Sequence, residues 1–312
     1  MRIVALAGGV GGAKLADGLS QNLAADELTV IVNVGDDFNH MGLRICPDLD
    51  TVCYTLGGLA NPDTGWGRSN ETWTVYDQIV KLGGPDWFHL GDNDIATHLE
   101  RTRLLAEGIP LSEIVHEFCR KWGIKVRVLP VSNDQIPTMV ATKDQGELGF
   151  QDYFVRNRCE PTVTGFRFAG VSEARLAPGV EKAVLEADGI IICPSNPYVS
   201  IAPILTVPGM MDLVMKKKVV AVSPIIGGKA LKGPAAKMFN EMGIEASSLA
   251  VARHYQDFLS GFVLDDIDVQ YAEEIQRSGI ISLTTNTIMQ SIEDRKRLAA
   301  EVLSFCEDIF FK

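Results

Sequence analysis

The chain has 312 residues, 46% of them hydrophobic and 22% charged, with a formal net charge of −11. That length suits one large α/β domain or two smaller ones, and the composition is that of a globular enzyme rather than a disordered or fibrous chain. The acidic balance, with no basic cluster beyond Lys216-Lys217-Lys218, excludes a nucleic-acid binder that works through a broad basic face, and six scattered cysteines without a C-x-x-C pair remove zinc and thioredoxin-type readings.

The first predicted element is an apolar strand over residues 2–7, which runs into Gly8-Gly9-Val10-Gly11-Gly12-Ala13-Lys14-Leu15. Glycines permit positive φ and remove the Cβ that would hold a ligand away. The helix start that follows offers free N–H groups and a partial positive charge. The loop therefore favours phosphate, with Gly8, Gly9, Gly11, Gly12 and Lys14 as contacts; a ligand-free strand–helix turn is the alternative. Neither common fingerprint fits. A Walker loop counted from Gly8 puts Leu15 where the Mg²⁺-binding hydroxyl belongs, and a dinucleotide fingerprint puts Lys14 at its third glycine. Leu15 cannot hold a metal, so metal ligands must come from elsewhere. A glycine loop this early leaves no room for a signal peptide. No apolar stretch reaches the roughly 18 residues of a membrane span, and the expected location is the cytoplasm.

A helix is expected over 15–24, then a strand over 28–34 ending in Asn33-Val34-Gly35-Asp36-Asp37. The two acids fall about 22 residues past the loop, where a dinucleotide fold places its ribose carboxylate. Carboxylates at a strand tip also hold Mg²⁺, and an Asp-rich helix cap is the structural alternative. Asp48-Leu49-Asp50-Thr51 opens an apolar run, with Asp48 as a cap candidate. Two acid pairs beside a phosphate-type loop favour a divalent cation, with Asp36, Asp37, Asp48 and Asp50 as its ligands.

Residues 61–77 are rich in Gly, Trp and Asn and carry Trp66, Trp73 and Tyr76. They read as a lid or a flat wall for an aromatic ring, or as a surface loop anchored by its tryptophans. A strand over 87–90 places His89 near its end, ahead of Gly91-Asp92-Asn93-Asp94. A helix over 95–107 puts Asp94, Thr97, His98 and Arg101 on one face. Arg101 reads as a phosphate clamp or a partner of Thr97, and His98 as a general base or a structural histidine.

After a helix over 111–122 and a strand over 125–130, residues 138–170 break the alternation. Strands at 138–142 and 147–150 flank Lys143-Asp144-Gln145-Gly146, a hairpin signal. A further strand at 163–168 completes a small inserted antiparallel subdomain. A helix over 178–186 leads to a strand over 189–193 that ends in Pro194-Ser195-Asn196-Pro197. The strand over 218–223 ends in Pro224-Ile225-Ile226-Gly227-Gly228-Lys229. Ser195 lacks the G-x-S-x-G elbow. Ser195, Asn196, Ser223, Gly227 and Gly228 therefore read as hydrogen-bond contacts to a ligand, not nucleophiles. A strand over 280–284 and an amphipathic packing helix over 292–305 close the chain. The alternation predicts one α/β domain over 1–312, a doubly wound, mostly parallel Rossmann-like sheet. Ligands of such sheets sit beyond the carboxyl ends of the strands, where five strand ends form a continuous polar rim.

The glycine loop, followed by Asn33 to Phe38, resembles the start of the phospholactate transferases, which act in biosynthesis of the deazaflavin coenzyme F420 of methanogens and actinobacteria. The match continues through Ile45-Cys46-Pro47-Asp48-Leu49-Asp50-Thr51-Val52, Gly65-Trp66-Gly67, Leu90-Gly91-Asp92-Asn93-Asp94 with Ala96-Thr97-His98, and Cys193-Pro194-Ser195-Asn196-Pro197. It extends to Ala221-Val222-Ser223-Pro224-Ile225-Ile226-Gly227-Gly228, Leu231-Lys232-Gly233-Pro234 and Ala250-Val251-Ala252-Arg253-His254-Tyr255. Val10 departs from the pattern, which expects threonine there, and removes one hydroxyl from the phosphate loop. The resemblance implies a Mg²⁺-dependent transferase. A guanosine diphosphate ester of lactate or a related three-carbon acid is the donor, the ribityl hydroxyl of a deazariboflavin is the acceptor, and GMP leaves. Asp50 and Asp37 are then the catalytic candidates, and His89, Asp92, Asn93, Thr97, His98, Arg101 and Trp66 the substrate contacts. Base rates make a homodimer the default, with no nucleic-acid or membrane partner. Two other classes compete. A sister group of nucleotide-sugar-binding regulators shares the loop and the second-strand acids, but the segments 45–51 and 90–98 and the Trp loop separate this chain from it. A dinucleotide oxidoreductase is weakened by Lys14.

Overall fold

In the computed structural model, which describes residues 1–230 and 233–311, the chain winds around a seven-stranded sheet. Leu231 and Lys232 of the Leu231-Lys232-Gly233-Pro234 block, and Lys312, lie outside the described residues. The strands are β1 (Ile3–Ala7), β2 (Leu28–Val32), β3 (Phe38–His40), β4 (Leu43–Ile45), β5 (Arg127–Pro130), β6 (Thr138–Thr142), β7 (Gly146–Gly149), β8 (Val163–Phe168), β9 (Gly189–Ile192), β10 (Lys218–Val222), β11 (Ile225–Ile226), β12 (Lys229–Ala230), β13 (Gly261–Leu264) and β14 (Ile281–Thr284). The central sheet has the order β14-β13-β10-β9-β1-β2-β5, and each neighbouring pair is parallel. Every residue of β1, β9 and β13 is buried, as in a parallel sheet covered on both faces. The chain runs outward from β1 through β2 to β5, then returns to the other side of β1 with β9. The strand order thus reverses between β1 and β9, and ligands of such sheets bind beyond the carboxyl ends of the strands at that switch point.

Helices α1 (Gly9–Ser20) and α2 (Pro47–Leu56) pack against each other. The other side of α1 meets the C-terminal helix Ile292–Phe310. That helix starts with a Ser291–Asp294 capping box and buries Leu298, Val302, Leu303, Cys306 and Ile309, the packing role its pattern predicts. Three further helices, α3 (Thr74–Lys81), α4 (Asp92–Ala106) and α5 (Leu111–Lys121), precede β5. The insert forms an antiparallel sheet β7-β6-β8. Its own small core contains Val140, Phe150, Tyr153 and Val163, joined by Val199 and Met238.

Two expectations need correction. Residues 87–90 are not a strand. Their rings pack on the β3–β4 hairpin, Phe88 against Phe38 at 4.9 Å and Trp87 against His40 at 5.1 Å. Leu90 joins Ile45 and Ile95 in a cluster separate from the main core. The run is apolar because it covers a hairpin, not because it enters the sheet. Conversely, β13 (Gly261–Leu264) is a sheet strand that the sequence pattern does not single out. Among the described residues no helix is long and apolar enough to cross a membrane.

Candidate active site at the carboxyl ends of β1, β2 and β9

Helix α1 begins inside the glycine loop, at Gly9, rather than after it. A Cβ on Gly11 would lie 2.2 Å from Pro194 O, one on Gly12 2.5 Å from Ser195 Oγ, and one on Gly8 2.6 Å from Asp48 Oδ2. These three glycines let the first turn of α1 sit against the β9 loop and α2, so close protein packing accounts for them. Gly9 alone of the four has positive φ, at 64°. Ser195 is buried, and its hydroxyl donates to Gly8 O (2.8 Å) and accepts from Gly8 N (3.2 Å). Asn196 accepts from Tyr198 N (3.0 Å) and donates to Met238 Sδ (3.3 Å). Ser223 Oγ donates to Ile225 O (2.8 Å). Gly227 N donates to Asp268 (3.1 Å), and Gly227 and Gly228 take φ of 55° and 76° in the β11–β12 turn. Lys14 Nζ donates to Met289 O at 2.6 Å. These hydrogen bonds hold the loops at the rim in place, because buried loop backbone must find partners.

The four aspartates do not form one cluster. Asn33, fully buried at the end of β2, donates through Nδ2 to Asp48 Oδ2 (2.8 Å) and Asp36 Oδ1 (3.2 Å) and so joins these two carboxylates. Burial first, then the Asp48 charge, raises Asp36 well above the ordinary carboxylate range, against the Asn33 hydrogen bond. Burial likewise pushes Asp48 up to about 6, despite hydrogen bonds from Asn33 and the Gly9 backbone. Neither has a cation partner among the described residues. Asp37 instead meets Arg44 through Oδ2 (3.0 Å) and accepts from Cys46 Sγ (3.1 Å), while its Oδ1 is buried without a hydrogen-bond partner. Burial holds Asp37 at about 6 even so. Both oxygens of Asp50 face the Arg101 guanidinium, NH1 at 3.1 Å from Oδ2 and NH2 against Oδ1. Asp37 and Asp50 are therefore charge-compensated, and among the described residues no three His, Cys, Asp or Glu side chains converge as metal ligands. The pair that fits a hard divalent cation is Asp36 and Asp48: two uncompensated carboxylates against the glycine loop, with phosphate oxygens and water to supply the remaining ligands.

Arg101 is 2% exposed and its guanidinium clamps Asp50. Its NH1 also donates to Arg44 O (3.2 Å) and lies 3.2 Å from His98 Nδ1. His98 Nε2 is 3.3 Å from Asp94 Oδ1, which accepts from Tyr54 OH at 2.7 Å. Burial would raise Asp94, but His98, Tyr54 and Arg101 together hold it below the ordinary range. Thr97 is buried and its hydroxyl bonds back to Asn93 O (3.4 Å).

A family model described as "2-phospho-L-lactate transferase CofD" matches residues 3–302. The chain belongs to the 2-phospho-L-lactate transferase family. It is a transferase of coenzyme F420 biosynthesis. It is 42% identical to a phosphoenolpyruvate transferase of Streptomyces griseus, covering 99% of both chains, and 46% identical to one of Thermobifida fusca, covering 86% of this chain and 87% of that one. A 2-phospho-L-lactate transferase of Methanosarcina mazei is 41% identical, with 96% of this chain and 99% of that one covered. Protein BH3568 of Bacillus halodurans shares the fold at a TM-score of 0.62 and 15% identity, with 97% of this chain and 99% of that one covered.

In this transferase the segment before α4 is held by reciprocal caps. Asp92 accepts from Thr72 Oγ1 (2.6 Å), Thr74 N (3.2 Å) and Val75 N (3.0 Å), which anchors α3. Glu71 in turn accepts from Asn93 N (2.7 Å) and Asp94 N (2.8 Å) at the start of α4. Asp92 thus ties α3 to the start of α4, and the Asn93 side chain reaches Asn70 O (3.4 Å). His89 is exposed beside Tyr76, with ring centroids 4.7 Å apart, and Trp66 is 49% exposed. Asn33, Arg44, Tyr54 and Glu71 join the site although the sequence analysis assigns them no role. Asn33 carried a signal, as the first polar residue after the apolar run 30–32. Arg44 carried another, as a charge between Leu43 and Ile45. Tyr54 and Glu71 carried none.

Proposed function

We propose that this transferase moves a phospho-three-carbon-acid group, phospholactyl or its enolpyruvyl counterpart, from a guanosine diphosphate ester to the ribityl hydroxyl of 7,8-didemethyl-8-hydroxy-5-deazariboflavin. The hydroxyl oxygen bonds to the phosphorus that bears the acid, the P–O bond to GMP breaks, and the hydroxyl proton is lost to a neighbouring base. The reading is supported most by the buried Asp36–Asn33–Asp48 group at the glycine loop, at the carboxyl ends of β1 and β2. Two uncompensated carboxylates there suit Mg²⁺, which when bound would screen the diphosphate. Asp50, two residues after Asp48 on α2, is then suited to meet the acceptor hydroxyl. Phosphoryl-type transfer needs in-line positioning and charge neutralisation more than covalent help, and the proposal requires no protein nucleophile. We assign it to the cytoplasm, as a homodimer binding GDP-type donors and GMP. The names of the relatives divide between phosphoenolpyruvate and phospholactate, so the donor panel should include both acids.

The test is GMP release, followed by chromatography, from purified protein with the deazariboflavin acceptor, each donor, and Mg²⁺ or chelator. The expected result is acceptor-dependent GMP release that chelator abolishes. Tight nucleotide-sugar binding with no GMP release would instead support the regulator class.

A further inference from the structure

Around Asp50 polar side chains of two helices face one another. Asp50 and Tyr54 lie four apart on α2, and Asp94, His98 and Arg101 lie at i, i+4 and i+7 on α4, the spacing that puts them on one face. The Arg101 fork holds both oxygens of Asp50. Its NH1 also faces His98 Nδ1 at 3.2 Å. His98 Nε2 lies 3.3 Å from Asp94 Oδ1, an ion-pair distance outside hydrogen-bond geometry. Tyr54 OH, on α2, donates to that same oxygen (2.7 Å). Arg101 and His98 are 2% and 1% exposed, whereas Asp50 keeps 6%. Arg101, His98 and Tyr54 are thus more deeply buried than the Asp50 carboxylate, while Asp94 is partly exposed.

The geometry points to Arg101, His98, Asp94 and Tyr54 as positioning residues that preset the plane of the Asp50 carboxylate for the acceptor hydroxyl; they do not themselves touch either substrate. This rests on the reading in which Asp50 meets that hydroxyl. A bidentate guanidinium fixes both oxygens and hence the rotation of the carboxyl group, which a lysine ammonium cannot do. A buried ion pair is weak evidence for stability as such. Misplacing a reacting group by about 1 Å, however, can cost roughly 10²-fold in rate.

The experiment compares Arg101→Lys, Tyr54→Phe and Asp50→Asn with the double variants Asp50→Asn/Arg101→Lys and Asp50→Asn/Tyr54→Phe. Turnover, acceptor KM, GDP binding by calorimetry and Tm are measured. Arg101→Lys should lower kcat at least tenfold and Tyr54→Phe about threefold, with acceptor KM and GDP affinity within about twofold of wild type. Neither should lower the residual rate of Asp50→Asn further, because both act through that carboxylate. Effects that multiply on the Asp50→Asn background, or a tenfold loss of GDP affinity in Arg101→Lys, would overturn the positioning role. Wild-type kcat in both Arg101→Lys and Tyr54→Phe, with Asp50→Asn inactive, would do the same and leave the function intact. Wild-type turnover in Asp50→Asn would instead remove Asp50 from the mechanism. If Arg101→Lys does not fold, Tyr54→Phe carries the same test, since it removes one hydroxyl and keeps the ring.

Discussion

Asp48→Asn removes one charge from the Asp36–Asn33–Asp48 group while keeping an oxygen that can accept from Asn33 and the Gly9 backbone. Asp48 is 4% exposed and burial raises it to about 6, against about 3.9 in an unfolded chain. A carboxyl whose native pKa is raised keeps its proton longer folded than unfolded. Stability therefore falls as pH rises from roughly 4 to about 6, and the full penalty is present above that. Two pKa units correspond to a penalty on the order of 3 kcal/mol at neutral pH. In chelator at about pH 7.5, Asp48→Asn should melt higher than wild type by roughly 5 °C, and the gap should close below about pH 4, where the Asp48 carboxyl is protonated folded and unfolded alike. Mg²⁺ should raise the Tm of wild type and leave the variant unmoved, because ligand that binds only the native state stabilises it by mass action. The assay is a fluorimetric melt across pH, with and without Mg²⁺. An Asp48→Asn variant that melts lower than wild type in chelator at about pH 7.5, or one that responds to Mg²⁺ as wild type does, refutes the reasoning.

Gly11→Ala drives a Cβ to 2.2 Å from Pro194 O. Backbone cannot swing aside there, so the loss should be roughly 3 kcal/mol by urea unfolding; a neutral result would show that the β9 loop yields. Arg44→Met leaves Asp37 buried without its cation. It should cost about 3 kcal/mol at neutral pH and less near pH 5, where Asp37 takes a proton; an equal deficit at both pH values would separate Arg44 from Asp37. Asp92→Ala should speed hydrogen exchange at Thr74 and Val75, whose amides it holds, without raising the acceptor KM. A tenfold rise in that KM would identify Asp92 as a substrate contact.

The α/β order and the insert were legible because both rest on local period. The continuous apolar runs of β1, β9 and β10 mark strands covered on both faces, and the Lys143–Gly146 turn marks a hairpin. The run at 87–90 misled for the same reason: four apolar residues look alike whether they enter a sheet or cover a hairpin. Glycines 8, 11 and 12 were visible, but not what they approach. Pro194 and Ser195 are more than 180 residues away in sequence and reach the loop only through the β1–β9 pairing.

By itself the sequence determined the α/β alternation, the family and the set of acids worth attention. Only the tertiary structure decided how those acids divide. Asp36 and Asp48 share Asn33, while Asp37 and Asp50 each face an arginine. The identity of a carboxylate is local, but its charge state depends on burial and on the nearest cation. Arg44 comes from a hairpin and Arg101 from α4, and spacing along the chain does not say which carboxylate either one reaches.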